Sequence, residues 1–377
     1  MPDIPMVPGT SSAPFLTGSA GCSAGKGSAR PKPAARHRVA LVAGRCLVSQ
    51  ADTVLALIRA RRRDDVVELV RSVARDASLA VAVTLLADVQ RKVGDRWQQN
   101  EFTVADEHAA TAIVDLALTA ACFEAERHPN TSEGTVVVAC AEEEWHVMPA
   151  RMFAEQLRVA GWEVVFLGAS TPAEHLQRFL AADPPTAVAV SCTVPLYLPG
   201  TRRAVTASHA AGVPVLAGGA AFGKAPDRAA AIGADAWAST PDGAITTLTG
   251  WASNRPPLAA PIVDDAPALA AGAERPPLVE RAMSTLASRF PPLAHYTGWQ
   301  RARTREDLDC ILRFVEASLL TGDDSIVTDF APWLTSILAA RGLPDGIVPL
   351  GIGVLRDCLP EGLGEADRLL AAMNAPN

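Results

Sequence analysis

The chain has 377 residues, 49% of them hydrophobic, and a formal net charge of −7. That length has room for two or three domains with real cores, and the acidic balance excludes nucleic-acid binding by overall charge. No apolar run reaches the ~20 residues of a membrane helix and no secretion-signal core heads the chain, while seven scattered cysteines without a CxxC pair point to reduced thiols in the cytoplasm rather than to a disulfide framework or a zinc site.

Residues 1–38 are rich in Pro, Ser, Gly and Ala and poor in large apolar side chains, which predicts a disordered tail. Residues 39–130 read as a helical-bundle cap. Val54, Leu55, Leu57 and Ile58 share one face, as do Val66, Val67, Leu69, Val70 and Val73, and then Val81, Val83, Leu85, Leu86 and Val89. These spacings predict amphipathic helices over 51–60, 64–75 and 79–93 with short connections. Trp97 is placed in the loop that follows. Thr103 is a candidate N-cap with Asp106 three residues on, so Glu107 and His108 enter the first turns of a fourth helix. Small residues at 109, 110 and 112 would let another body approach that helix closely.

Residues 131–252 alternate strand and helix. Candidate strands are Thr135–Ala139, Glu163–Leu167, Thr186–Cys192, Val213–Ala217 and Ala234–Ala238. Their almost wholly apolar composition predicts a five-stranded, doubly wound parallel sheet with helices on both faces. Thr171 through Glu174 reads as a capping box with Pro172 at the first helical position. Residues 253–277 carry Pro-Pro and Ala-Pro clusters and predict a semi-stiff linker. Residues 278–377 predict an all-α domain, with helices over 308–320 and 325–341 and a stop at Gly342 before Pro344. The fold class is therefore α/β plus all-α.

Four features fall at the C-terminal ends of successive strands. His146 follows the first, between Trp145 and Val147, with Glu144 two residues before it. Gly168 follows the second. Ser191 ends the third, with Cys192 and Thr193 behind it, and Gly218-Gly219 ends the fourth. Ligands bind at this edge in open α/β sheets, and glycines there let a ligand approach the backbone. No G-x-G-x-x-G and no P-loop is present, which argues against a dinucleotide or a nucleoside triphosphate.

This constellation resembles the cobalamin-binding domain of methionine synthase, methylmalonyl-CoA mutase and corrinoid proteins, with its Asp-x-His-x-x-Gly, Ser-x-Leu and Gly-Gly motifs. The resemblance implies that His146 binds cobalt from below in place of the cofactor's own base. The displaced base would lie beside Ser191, Thr193 and Gly218. Glu144 stands where the family has Asp, keeping a carboxylate that can orient the imidazole, and Pro149 stands where it has Gly. The segment from Trp97 to His108 resembles the W-x(9)-EH signature of adenosylcobalamin-dependent light sensors. That implies that Trp97 packs over the adenosyl group, that Glu107 and His108 flank it, and that His108 is a candidate upper ligand once light has broken the Co–C bond.

A cobalamin core joined to a C-terminal helical module resembles the photocobilins, which implies a globin-like domain holding biliverdin. His295, Tyr296, Trp299, Arg301, Arg303, Arg313 and Trp333 could serve a tetrapyrrole, aromatics packing its rings and arginines pairing its propionates; a helical dimerisation module accounts for the same residues. The expectation is a non-enzymatic photoreceptor that forms light-dependent homo-oligomers, with no direct nucleic-acid partner and no membrane partner. The alternatives are a corrinoid carrier for a separate methyltransferase and a plain cobalamin-storage module.

Overall fold

A computed structural model describes residues 50–125, 133–344 and 346–374. The expected tail over 1–38 and the first residues of the cap lie outside the described residues.

The cap consists of α1 (50–59), α2 (Arg63–Asp76), α3 (Leu79–Gln98) and α4 (Val104–Cys122). The apolar faces read from the sequence close on one core that includes Val54, Val66, Val70, Leu85, Leu86, Val114 and Leu118. Two local signals set the helix starts. Ser78 Oγ accepts from the Val81 N–H at 3.3 Å, and Thr103 and Asp106 form a reciprocal capping box. Trp97 is not in a loop. Helix α3 runs past the expected stop at 93, and Trp97 sits in its final turn with 4% exposure.

The α/β domain has strands β1 (Thr135–Cys140), β2 (Glu163–Gly168), β3 (Ala187–Ser191), β4 (Val215–Gly218) and β5 (Ala236–Ala238). All pair in parallel, in the order β2-β1-β3-β4-β5. The chain leaves β1 in one direction and returns past it to build the rest, so the topological switch point falls between β1 and β3. Helices α5 (Val147–Val159), α6 (Ala173–Ala182), α7 (Leu198–Ala210), α8 (Asp227–Ala231) and α9 (Pro241–Ser253) connect and cover the strands. The capping box expected at 171–174 does not form: Pro172 itself takes the N-cap position of α6 and no side chain caps the helix.

The C-terminal helices are α10 (Ala266–Arg289), α11 (Gly298–Thr321), α12 (Ser325–Ala340), α13 (Ile347–Asp357) and α14 (Gly364–Met373). Gly342 ends α12 with φ 77°, as its sequence position suggests. The segment read as a linker is shorter than expected, because α10 continues through Pro276 and Pro277. Prolines there remove two helical donors. Packing against α11, with ion pairs Arg275–Asp309 at 2.8 Å and Arg305–Glu280 at 2.7 Å, holds the helix regardless. What remains between α9 and α10 is tied down. Asp235 is almost fully buried and accepts from the Ala259 and Val215 N–H groups, both at 2.6 Å. Pro261 lies so close that a Cβ on Gly233 would come within 2.9 Å of its nitrogen.

The cores do not follow the three expected segments. Side chains from β1, β3 and β4, from α6 and α7, and from α10 through α14 form one continuous cluster. The cap core is separate, and borrows Met148 and Met152 from α5 and Ile337 from α12.

Candidate functional site: a histidine at the switch point

The strand register lines up the four sequence features. Cys140 is level with Ser191 and Ser191 with Gly218, while Gly168 is level with Ala139 one residue earlier, so these strand ends lie together at the C-terminal edge of the sheet. Gly219 follows with φ 108°, and a Cβ on it would stand 2.2 Å from the Cys192 carbonyl oxygen. Only glycine fits there, because the backbones of two neighbouring strand ends touch.

Between β1 and α5 runs the loop 141–146, and its three consecutive glutamates have three different anchors. Glu142 accepts from Arg203 of α7 at 2.6 Å. Glu143 pairs with Arg313 of α11. Glu144 is fully buried. Its Oε2 accepts from the backbone N–H of Thr193 at 2.9 Å and of Val194 at 3.3 Å. Its Oε1 accepts from the His146 N–H at 2.9 Å and also lies against His146 Nδ1. One carboxylate thus spans from the β1 loop to the β3 loop across the switch point.

His146 is the N-cap residue of α5. With Nδ1 held by Glu144, its Nε2 is buried and has no hydrogen-bond partner. Burial alone would push the Glu144 carboxyl up, but the imidazole and the backbone N–H groups outweigh it and hold it below its ordinary value. Burial would likewise push the imidazole down, and the Glu144 carboxylate outweighs this, helped by Glu107 of the cap, so that it lies above its ordinary value. Pro149 occupies the third position of α5. The first four N–H groups of a helix have no intrahelical partner, so proline there forfeits no bond.

The cap faces this loop. Glu107 is 5% exposed, and its carboxylate accepts from Thr111 Oγ1 at 2.7 Å. Its Oε2 makes no hydrogen bond and lies 3.5 Å from Nε2 of the exposed His108. His108, Thr111 and Asp115 of α4 form one wall of a cleft of about 400 Å³, and Val147, Met148 and Arg151 of α5 form the other. Trp97 does not line it; its ring packs in the cap core with the Arg341 guanidinium 4.7 Å above its centroid. Trp145 projects outward, 55% exposed. Thr193 Oγ1, by contrast, is buried without a hydrogen-bond partner.

These orphaned buried atoms fit a cobalamin. A histidine whose Nδ1 is fixed by a carboxylate and whose buried Nε2 has no hydrogen-bond partner has the donor arrangement of a metal-ligating imidazole. A single axial donor, rather than a cage, is what a corrin-bound cobalt requires.

The tetrapyrrole candidates of the C-terminal helices do not converge. His295, Tyr296 and Trp299 cluster at the start of α11, where Arg301 donates to the carbonyls of Ala294 and Tyr296. Arg303 pairs with Glu306 and lies over the Trp299 ring. Trp333 lies beside Phe330, which stacks on Phe314. That is roughly 22 Å along α11 from Trp299 at helical rise. Trp333 packs against both the cap core and the C-terminal core. Sequence reasoning missed Tyr197, whose ring lies 6.5 Å from His146, as well as Arg203 and Arg341, and it offered Arg313 to a tetrapyrrole rather than to Glu143. The run of three glutamates was the available signal that basic partners must exist.

Residues 134–246 match a B12 binding domain model, and residues 50–121 match a second one of the same description. The HTH-type transcriptional repressor CarH of Myxococcus xanthus is 34% identical over 140 residues, 36% of this chain and 46% of the repressor. The match thus spans about half the length of that curated relative. Among solved structures, the monomethylamine corrinoid protein of Methanosarcina barkeri shares 18% identity over 52% of this chain and 96% of its own, with a TM-score of 0.45. A cobalamin-binding protein from Desulfitobacterium hafniense shares 22% over 54% and 98%, with a TM-score of 0.30. The cap and the α/β domain are thus each similar to a B12 binding domain, and part of the chain is similar to the CarH repressor.

Proposed function

We propose that this protein is a light sensor that holds adenosylcobalamin in its base-off, His-on form and changes cap packing and oligomeric state on illumination. The observation that carries the reading is the buried, unpartnered Nε2 of His146, held by Glu144 at the switch point and faced by Glu107 and His108 of the cap. The bound group would supply a cobalt–carbon bond that visible light cleaves. Everything else falls to the chain.

His146 would hold the group through Nε2, which must give up any proton before it can bind a metal. Glu144 fixes the ring and the proton on Nδ1. The displaced nucleotide tail would lie beside Ser191, Thr193, Gly218 and Gly219 at the sheet edge. On the cap, Glu107 and His108 are the polar groups nearest the other face of the site, and the exposed imidazole is free to move. A change in what fills the seam between α4 and α5 alters the cap's contacts, and such a difference is what a population shift needs. The reading includes biliverdin as a second chromophore in the C-terminal helices, supported by the resemblance to photocobilins alone. It includes no direct nucleic-acid partner, on the net charge of −7.

The test is reconstitution of the full chain with adenosylcobalamin in the dark, with and without biliverdin. Absorbance and size-exclusion profiles are then recorded before and after green light. The expected result is a His-on spectrum that His146→Ala abolishes, together with a light-dependent change in both measurements. Binding without any protein-dependent response to light would overturn the sensor and leave a corrinoid carrier. No uptake of cobalamin would overturn both.

A further inference from the structure

We propose that Arg313, which belongs to the C-terminal helices and not to the B12-binding module, is a positioning residue for His146. The inference rests on the cobalamin reading above. It starts from two strained residues. Glu143 has φ 68° and Ser170 has φ 45°, both in the left-handed region although neither is glycine. Such residues persist only where surrounding contacts over-determine them, and they cluster at functional sites. Here the two hold each other. The Glu143 N–H donates to Ser170 Oγ at 3.1 Å, and the Ser170 N–H donates to the Glu144 carbonyl at 3.1 Å.

Backbone ties hold the main chain of the loop but not the Glu143 side chain, which is 56% exposed. That carboxylate is taken by Arg313, whose own side chain is 19% exposed. The guanidinium also lies over the Tyr197 ring, 5.2 Å from its centroid, and the same ring stands 6.5 Å from the His146 imidazole. Tyr197 is buried. Arg313 therefore reaches the histidine by two routes, one through the loop that carries it and one through the aromatic ring beside it. A freely exposed ion pair would contribute little. One whose cation is stacked on a buried ring is held in a single geometry.

Arg313 thus sets the angle at which α5 begins, and with it the direction of Nε2. Glu144 fixes the ring's rotation and proton; Arg313 fixes where the ring stands. The C-terminal helices become a structural part of the cobalamin site, so any event that shifts α11 changes the axial bond.

The experiment uses the full chain with adenosylcobalamin in the dark, comparing wild type with R313Q, R313K, E143Q and the double variant R313Q/E143Q. The control is R305Q, which breaks an ion pair elsewhere on α11. R313Q and E143Q are each expected to weaken binding roughly three- to tenfold and to raise the base-off, His-off fraction of the spectrum. The double variant should be little worse than either single one, since coupled residues are not additive. R313K should recover part of the loss, and R305Q should match wild type. Faster amide exchange across residues 141–146 in R313Q, measured without cobalamin, is the matching readout on the protein alone. Should R313Q fold poorly, E143Q carries the test. Wild-type affinity, spectrum and exchange in both single variants would overturn the role of Arg313 while leaving the cobalamin reading intact. A wild-type chain that binds no cobalamin would overturn that reading instead.

Discussion

Arg341 lies across Trp97, its guanidinium 4.7 Å from the ring centroid and its Nη2 donating to the Trp97 carbonyl at 3.4 Å. The two residues belong to opposite ends of the chain. Around them Gln98 donates to Ser336 at 3.2 Å, Asn100 donates to the Ala340 carbonyl at 3.4 Å, and Ile337 enters the cap core. Arg341→Ala should loosen this seam. The expected cost is ~1–2 kcal/mol, from a partly desolvated cation–π contact and the packing of the aliphatic stem. Hydrogen exchange at the C-terminal turn of α3 should rise, while exchange in the sheet should not.

Glu144 satisfies backbone N–H groups of three residues besides holding His146. Glu144→Ala leaves them buried and unpaired, with an expected loss of ~2–4 kcal/mol in urea unfolding. Glu144→Gln keeps the volume but cannot orient the imidazole as a carboxylate does. A further tenfold to about hundredfold loss of cobalamin affinity is expected from it. Equal affinity in Glu144→Gln and wild type would remove the carboxylate from any part in ligation.

Two glycines of the sheet edge separate strain from space. A Cβ on Gly219 would meet the Cys192 backbone, whereas one on Gly168, at φ 78°, meets nothing within 4 Å. Gly168→Ala should therefore cost only the left-handed conformation, ~1–2 kcal/mol. Gly219→Ala must also push two strand ends apart, so little soluble protein is expected from it. Comparable thermal midpoints for the two variants would contradict this.

Asp307 gives the protein a pH dependence with a definite sign. It is half-buried on α11; burial, and then Glu306, push its carboxyl up to about 6, against Arg303 and Arg341. The folded state therefore holds a proton that the unfolded state has released between about pH 4 and pH 6. Stability from this group falls as pH rises through that window, and the full cost stands above it. Asp307→Asn should stabilise the protein by ~1–3 kcal/mol at pH 7 and by almost nothing near pH 4. A pH-independent gain in denaturant midpoint would point to some other cause.

The five strands, the Thr103–Asp106 capping box and the row from His146 to Gly219 were all legible in the sequence. Each rests on local pattern: apolar runs, a three-residue spacing, or glycines after strands. The failures share the opposite character. Pro276 and Pro277 argued for a linker because composition cannot see α11 packed alongside. Thr171 offered a hydroxyl for capping, yet Pro172 took its place. Arg203 and Arg313 lie 61 and 170 residues from the glutamates they anchor, and no periodicity connects them. His146 and the Glu144 beside it were therefore readable as residue types at a place in a fold, while the distant arginines that hold their loop were not.

The tied-down segment between α9 and α10 has a mechanical consequence. Asp235 and Pro261 leave that crossing no slack, and the sheet and C-terminal helices already share one core. Although the sequence divides into three segments, the buried clusters join the sheet to the C-terminal helices and leave the cap with a core of its own. Torque between the cap and the rest is borne at one seam, where Met148, Met152 and Ile337 plug into the cap and Arg341 covers Trp97. A cap that lifts therefore lifts off α5 and α12 together, and exposes a face of each in the same motion.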